Sequence, residues 1–181
     1  MILILMRHLE TAYSVEHRIC GQMDIPILEG QIIKVSREVM DRVKGHKVKI
    51  FSSPLIRCIQ TAEILASEIG IKCIDIVQGL KERNWGKLCG MTKAEIILHY
   101  GKNLGELVTY NLEIESEEIF NKRLKESLTY IFTLSEDICF VVSHQGCLRR
   151  ISVALGYDDK KFYNGEYRIY YIDGEENKSG C

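Results

Sequence analysis

Hydrophobic positions fall into two alternating rhythms along the 181-residue chain. Nearly unbroken apolar runs rich in Ile and Val occupy residues 2–6, 48–51, 71–77 and 138–142. Such runs suit strands covered on both faces, as in a parallel sheet. Between them apolar residues recur at helical spacing: Ile32, Val35, Val39 and Val43, then Ile59, Ala62, Leu65 and Ile69 closed by Gly70. Thr92 followed by Glu95 has capping-box spacing and opens a third helix. Phe120, Leu124, Leu128 and Ile131 mark a fourth behind the acidic first turn of Glu117 and Glu118, and residues 147–155, stopped by Gly156, a fifth. A last strand is expected over 167–172. The alternation predicts an α/β fold, a three-layer α/β/α sandwich around a mostly parallel central sheet.

No repeat or low-complexity tract interrupts this order, and Pro26 and Pro54 fall in a loop and at a helix start. The reading is one domain over residues 1–173 followed by a polar tail, 174–181. With 46% hydrophobic and 27% charged residues, the chain has the make-up of a globular domain with a substantial core. Its 24 basic and 25 acidic residues give a formal charge of -1, so no general attraction to nucleic acid or to a membrane surface is expected. The longest apolar opening, residues 1–6, is far short of the roughly 20 residues of a spanning helix and lacks the flanks of a secretory signal. A cytoplasmic protein is expected. Seven cysteines without a C-x-x-C pair argue against a disulfide framework and a structural zinc site.

Ligands of open α/β sheets bind beyond the carboxyl ends of the strands. There the sequence places Arg7 and His8, then Ser52, Ser53 and Arg57, then Glu82, then Ser143, His144 and Gln145. Two arginines, two histidines and a carboxylate thus converge from four strand ends as an anion site with its own acid. Guanidinium forks suit the oxygens of a phosphoryl group, a neutral imidazole can attack phosphorus, and a carboxylic acid can protonate the departing oxygen. Phosphoryl transfer asks mostly for positioning and charge stabilisation, so no metal or other cofactor is required. No P-loop, G-x-G-x-x-G, C-x5-R or strand-end D-x-D pattern is present, which leaves a histidine as the nucleophile.

Four segments in series carry a resemblance: R-H-L-E-T from Arg7, S-S-P-L-I-R-C-I-Q-T-A from Ser52, L-K-E-R-N-W-G from Leu80, and V-V-S-H-Q-G-C-L-R from Val141. With R-I-C-G-Q-M-D-I-P from Arg18, the chain resembles the histidine phosphatase superfamily, also called the phosphoglycerate mutase-like family. The resemblance implies that His8 forms a phosphohistidine, that Arg7, Arg57 and His144 hold the phosphoryl group, and that Glu82 protonates the leaving group and later activates water. W-G-K-L-C-G-M-T from Trp85 looks like the small members, alpha-ribazole phosphatases and broad-specificity phosphatases. A small lid, about residues 85–118, favours hydrolysis of a small phosphomonoester, with inorganic phosphate as product, over mutase action.

The chain departs from the family pattern at Leu9 and Gln145, which stand in glycine places, and at Ser14 and Cys20, which stand where many phosphatases carry Asn and Gln. Thr11, Ser14, Cys20, Gly21, Gln145 and Trp85 are the expected substrate contacts. Two other readings stay open: a phosphoglycerate mutase, and a phosphate-binding regulatory domain whose catalysis has weakened. His17, His46 and His99 read as surface residues and Cys147 as a buried helix residue. Of Arg149 and Arg150, one is expected to salt-bridge and the other is a candidate to face the substrate.

Overall fold

The computed structural model describes residues 1–134 and 136–172. The expected domain end at Asp173 and the polar tail 174–181, with Cys181, lie outside the described residues. Among the described residues five strands form one sheet: β1 (Ile2–Arg7), β2 (Val48–Ser52), β3 (Ile74–Ile76), β4 (Ile138–Ser143) and β5 (Tyr167–Tyr171). Their order is β3-β2-β4-β1-β5, parallel throughout except for β5, which pairs antiparallel with β1 at one edge. Six α-helices of the described residues accompany them: α1 (Ala12–Val15), α2 (Arg37–Val43), α3 (Ile56–Ile69), α4 (Lys93–Tyr100), α5 (Glu117–Thr133) and α6 (Gln145–Ala154).

Side chains of a strand alternate between faces, and here both faces are covered. Leu3, Leu5, Cys139 and Val141 pack with Phe120, Leu124, Leu128 and Ile131 of α5 and with Leu148 and Ile151 of α6. Ile4, Met6, Phe140 and Val142 pack with Val39 of α2 and with Cys58, Ala62, Leu65 and Ile69 of α3. This double burial is why the central strands read as unbroken apolar runs rather than alternating ones. A third, smaller core of Leu88, Ile96, Leu107 and Leu112 holds the 85–118 region together.

Several boundaries differ from expectation. The first predicted helix begins only at Arg37, because Ser36 caps it by accepting from Val39 N, at 3.4 Å, leaving Ile32 and Val35 in irregular chain before it. Ile33 is buried there without being helical. The strand expected over 71–77 shrinks to Ile74–Ile76, since α3 ends in a left-handed Gly70 and residues 71–73 carry the chain back to the sheet edge. Strands β1, β2 and β4 each run one residue further than predicted and take in Arg7, Ser52 and Ser143. Helix α1 was not foreseen; Thr11 and Ser14 form a reciprocal capping box around its four residues.

Phe140, 2% exposed in the central strand, tests the double-sided core. Phe140→Ala is expected to cost about 3–5 kcal/mol in urea denaturation, and Val153→Ala, half exposed on α6, under about 0.5 kcal/mol.

Candidate active site

Strand pairing brings the site together. Arg7 and Ser143 are register partners in the parallel β1–β4 pair, so the residues that follow them, His8 and His144, leave the sheet side by side. Their ring centroids are 5.3 Å apart, and His8 N donates to Ser143 O at 3.0 Å. On the other flank of β4, Ser53 N donates to Val142 O, which sets the Ser53 hydroxyl 2.8 Å from His144 Nε2. Arg57 follows in the first turn of α3, 1% exposed, with Nη1 donating to Met23 O at 2.7 Å and Nη2 to Gly21 O at 2.8 Å. Arg7, His8, Arg57 and His144 line a cleft of about 840 Å³ together with Glu82, Gln145 and Gly146.

His8 is 5% exposed and its Nδ1 lies 2.7 Å from Leu9 O. A carbonyl only accepts, so Nδ1 carries the proton and Nε2 keeps its lone pair. Burial first, then the charges of Arg57 and Arg7, hold the His8 pKa well below the ordinary 6.5. His144, 1% exposed, is lowered in the same way by burial, Arg57 and His8. Arg7 Nη1 donates to Phe162 O at 2.9 Å and to Gln145 Oε1 at 3.2 Å. Buried Nε atoms of both Arg7 and Arg57 have no acceptor among the described residues, so the site is rich in uncommitted positive donors.

Glu82 lines the same cleft from the chain that follows β3. Its Oε2 accepts from Gly146 N at 3.0 Å and its Oε1 from Arg83 N at 2.9 Å. Position 146 must be glycine for this approach, because a Cβ there would collide with Glu82 Oε1. Burial raises the thiols that lie nearby: Cys58, 3.5 Å from His144 Nε2, is pushed up to about 12, and Cys147 is raised well above its ordinary value, again chiefly by burial. Neither is a thiolate at neutral pH.

All of the predicted contact residues line the cleft, but not all have free groups. The hydroxyls of Thr11 and Ser14 are engaged by each other's backbone at the start of α1. Gly21 has a φ of 51° and contributes the carbonyl that holds Arg57. Cys20 borders the cleft half-buried, and Trp85 stacks on the Arg83 guanidinium, 4.9 Å from its ring centroid. Arg149 and Arg150 both line the cleft and both are ion-paired, with Asp159 and Glu117. His17, His46 and His99 are exposed, and Cys147 is buried. Three of the six described cysteines, 58, 139 and 147, are buried.

Sequence reasoning passed over Arg83, Lys93, Asn164 and Arg123. Arg83 is buried against the cleft and its Nη2 has no acceptor among the described residues; its place beside Glu82 was the available signal. Asn164 Nδ2 donates to both His8 O and Leu9 O at 3.1 Å, fixing the turn after β1 from 156 residues away, and no local pattern announces it. Seven basic side chains against three acidic ones line the cleft, although the whole chain is near neutral. Among the described residues no set of His, Cys, Asp and Glu is grouped to hold a metal, and no helix is long and apolar enough to cross a membrane.

The chain belongs to the histidine phosphatase superfamily (branch 1), whose family model matches residues 3–173. Agropine synthesis reductase of Rhizobium rhizogenes is 35% identical over 126 residues, 68% of this chain but 25% of that protein. A 2,3-bisphosphoglycerate-dependent phosphoglycerate mutase of Lachnoclostridium phytofermentans is 30% identical over 106 residues, 56% of this chain and 43% of the mutase. This chain therefore corresponds to less than half the length of either relative. The alpha-ribazole phosphatase of Shigella flexneri superposes with a TM-score of 0.73 over 96% of this chain and 91% of that one, at 18% identity, and shares the fold.

Two buried neutral histidines make stability depend on pH. Below pH 6.5 the unfolded chain binds protons that the native rings, with depressed pKa values, do not. Stability is therefore retained above 6.5 and lost as pH falls below it, by up to about 1.4 kcal/mol per histidine per pH unit, until the native rings protonate. Urea midpoints at pH 7.5 and 5.5 should show the loss, and His8→Asn/His144→Asn should flatten it; equal slopes contradict the assignment. Gly146→Ala should displace Glu82 and lower turnover about 100-fold with the melting temperature little changed.

Proposed function

We propose that the chain is a metal-independent phosphomonoesterase that hydrolyses a small phosphorylated metabolite through a phosphohistidine on His8. The observation that carries this reading is the His8 geometry: Nδ1 is tied to a carbonyl, which keeps Nε2 unprotonated in a cleft lined by the buried Arg57, the half-buried Arg7 and the carboxylate of Glu82.

In the first step the His8 Nε2 lone pair forms the N–P bond while the P–O bond to the alcohol breaks. Glu82, in its acid form, gives its proton to the departing oxygen. Arg7, Arg57 and His144 surround the three non-bridging oxygens and match the charge that spreads over them. In the second step Glu82, now a carboxylate, takes a proton from water as the water oxygen attacks phosphorus. The N–P bond breaks, its electron pair returns to Nε2, and inorganic phosphate leaves. The guanidiniums supply the charge stabilisation that a metal would otherwise provide.

The cation-rich outer cleft and the mutase relative favour one second reading, phosphoglycerate mutase action, in which the phosphohistidine passes its group to a second hydroxyl instead of water. A coupled assay with 3-phosphoglycerate, with and without 2,3-bisphosphoglycerate, separates the two. A panel that includes alpha-ribazole phosphate and phosphoglycerates identifies the substrate, and absence of turnover on all of them would leave the weakened phosphate-binding domain.

Acid-labile, alkali-stable phosphoenzyme should accumulate in the wild type on quenching with labelled substrate. His8→Ala should lose it and at least about a thousandfold in kcat; full activity in that variant would refute the proposal. EDTA should leave turnover unchanged, and vanadate, a mimic of five-coordinate phosphorus, should inhibit.

A further inference from the structure

Glu82 sits on a stretch of chain that belongs to no sheet and to no α-helix, so its backbone carbonyls must find partners elsewhere. One side chain takes most of them. Arg123 of α5 donates from Nη1 to Gly79 O at 2.7 Å and to Lys81 O at 2.6 Å, and from Nη2 to Glu82 O at 3.0 Å. The same guanidinium grips Glu115, Nε to Oε1 at 2.7 Å and Nη2 to Oε2 at 2.8 Å, as a two-pronged pair only 19% and 11% exposed. Gln22 Nε2 adds a second bond to Glu82 O at 2.9 Å. The contact is close enough to dictate Gly79, where a Cβ would collide with Ser127 Oγ and Arg123 O of α5.

We infer that Arg123, anchored by Glu115, is a positioning residue for Glu82. Its planar fork fixes the 79–82 loop, and with it the reach of the carboxylate to the departing oxygen. This rests on the proposed role of Glu82 as proton donor. A lysine could not reproduce the arrangement, because one ammonium cannot span three carbonyls and a bidentate carboxylate. Removing the fork takes a donor from the carbonyls of Gly79, Lys81 and Glu82 at once, and the loop relaxes to find new partners. Displacement of the acid by even about 1 Å costs about a hundredfold where proton transfer is needed and little where it is not.

Leaving-group dependence is the readout that a purely structural role would not move. With enzyme in excess, the single-turnover release of glycerol from glycerol 2-phosphate needs the acid, whereas 2,4-dinitrophenolate departs from its phosphate ester unassisted. Arg123→Lys should slow the alkyl ester about 30- to 100-fold and the dinitrophenyl ester less than about threefold. Glu115→Gln, which leaves Arg123 in place and loosens its anchor, should show the same split at smaller amplitude and serves if Arg123→Lys does not fold. Equal losses on both esters in a folded variant, or no loss on either, would overturn the inference. Glu82→Gln separates the two layers: it should give the largest split. If Glu82→Gln slows both esters alike or neither, the acid role itself fails, and the inference with it.

Discussion

In-register pairing of β1 with β4 is the constraint from which the site follows. Because Arg7 stands opposite Ser143, the next residue on each strand is a histidine, and the two rings leave the sheet as neighbours. A slip of one residue would turn every side chain of a strand to the other face, and both faces here are packed with apolar groups, so the register is held by the two cores on either side. The rest of the cleft is placed relative to that pair. β2 borders β4 and delivers Ser53 and Arg57, and the segment between α6 and β5, through Asn164, returns to hold the backbone of His8.

Electrostatically the site is unfinished without an anion. Arg57 and the half-buried Arg7 each carry a buried Nε–H without an acceptor among the described residues, and burial keeps both imidazoles neutral. Protonating the rings would add charge where charge is already uncompensated, which is why their pKa values fall. A phosphoryl dianion relieves both conditions at once. The near-zero net charge of the chain conceals this, because only three acidic side chains, Glu82, Glu117 and Asp159, line the cleft while basic side chains dominate its lining.

Much of the fold was legible because strand burial on both faces writes itself into unbroken apolar runs, and strand ends then name the residues to inspect. Arg7, His8, Arg57, Glu82 and His144 were found in that way and do share one cleft. What escaped was of two kinds. Local competition decided some boundaries: Ser36 took a cap and shortened α2, and the Thr11 and Ser14 hydroxyls, expected at the substrate, were drawn into capping α1. Long-range contacts decided the others. Arg123 lies 41 residues from the carbonyl of Glu82 that it holds, and within its own helix it reads as one more polar position between apolar ones. Hydrogen bonds from a helix to an irregular loop have no period, so no pattern of residues could announce them.

The central claim is that His8 is poised by the carbonyl of Leu9 to react through one particular nitrogen. Trapping the phosphoenzyme and locating the phosphorus by peptide mapping and heteronuclear NMR tests it most directly. The account predicts phosphate on Nε2 of His8 with Nδ1 still protonated. Phosphate on Nδ1, or on any other residue, would contradict it.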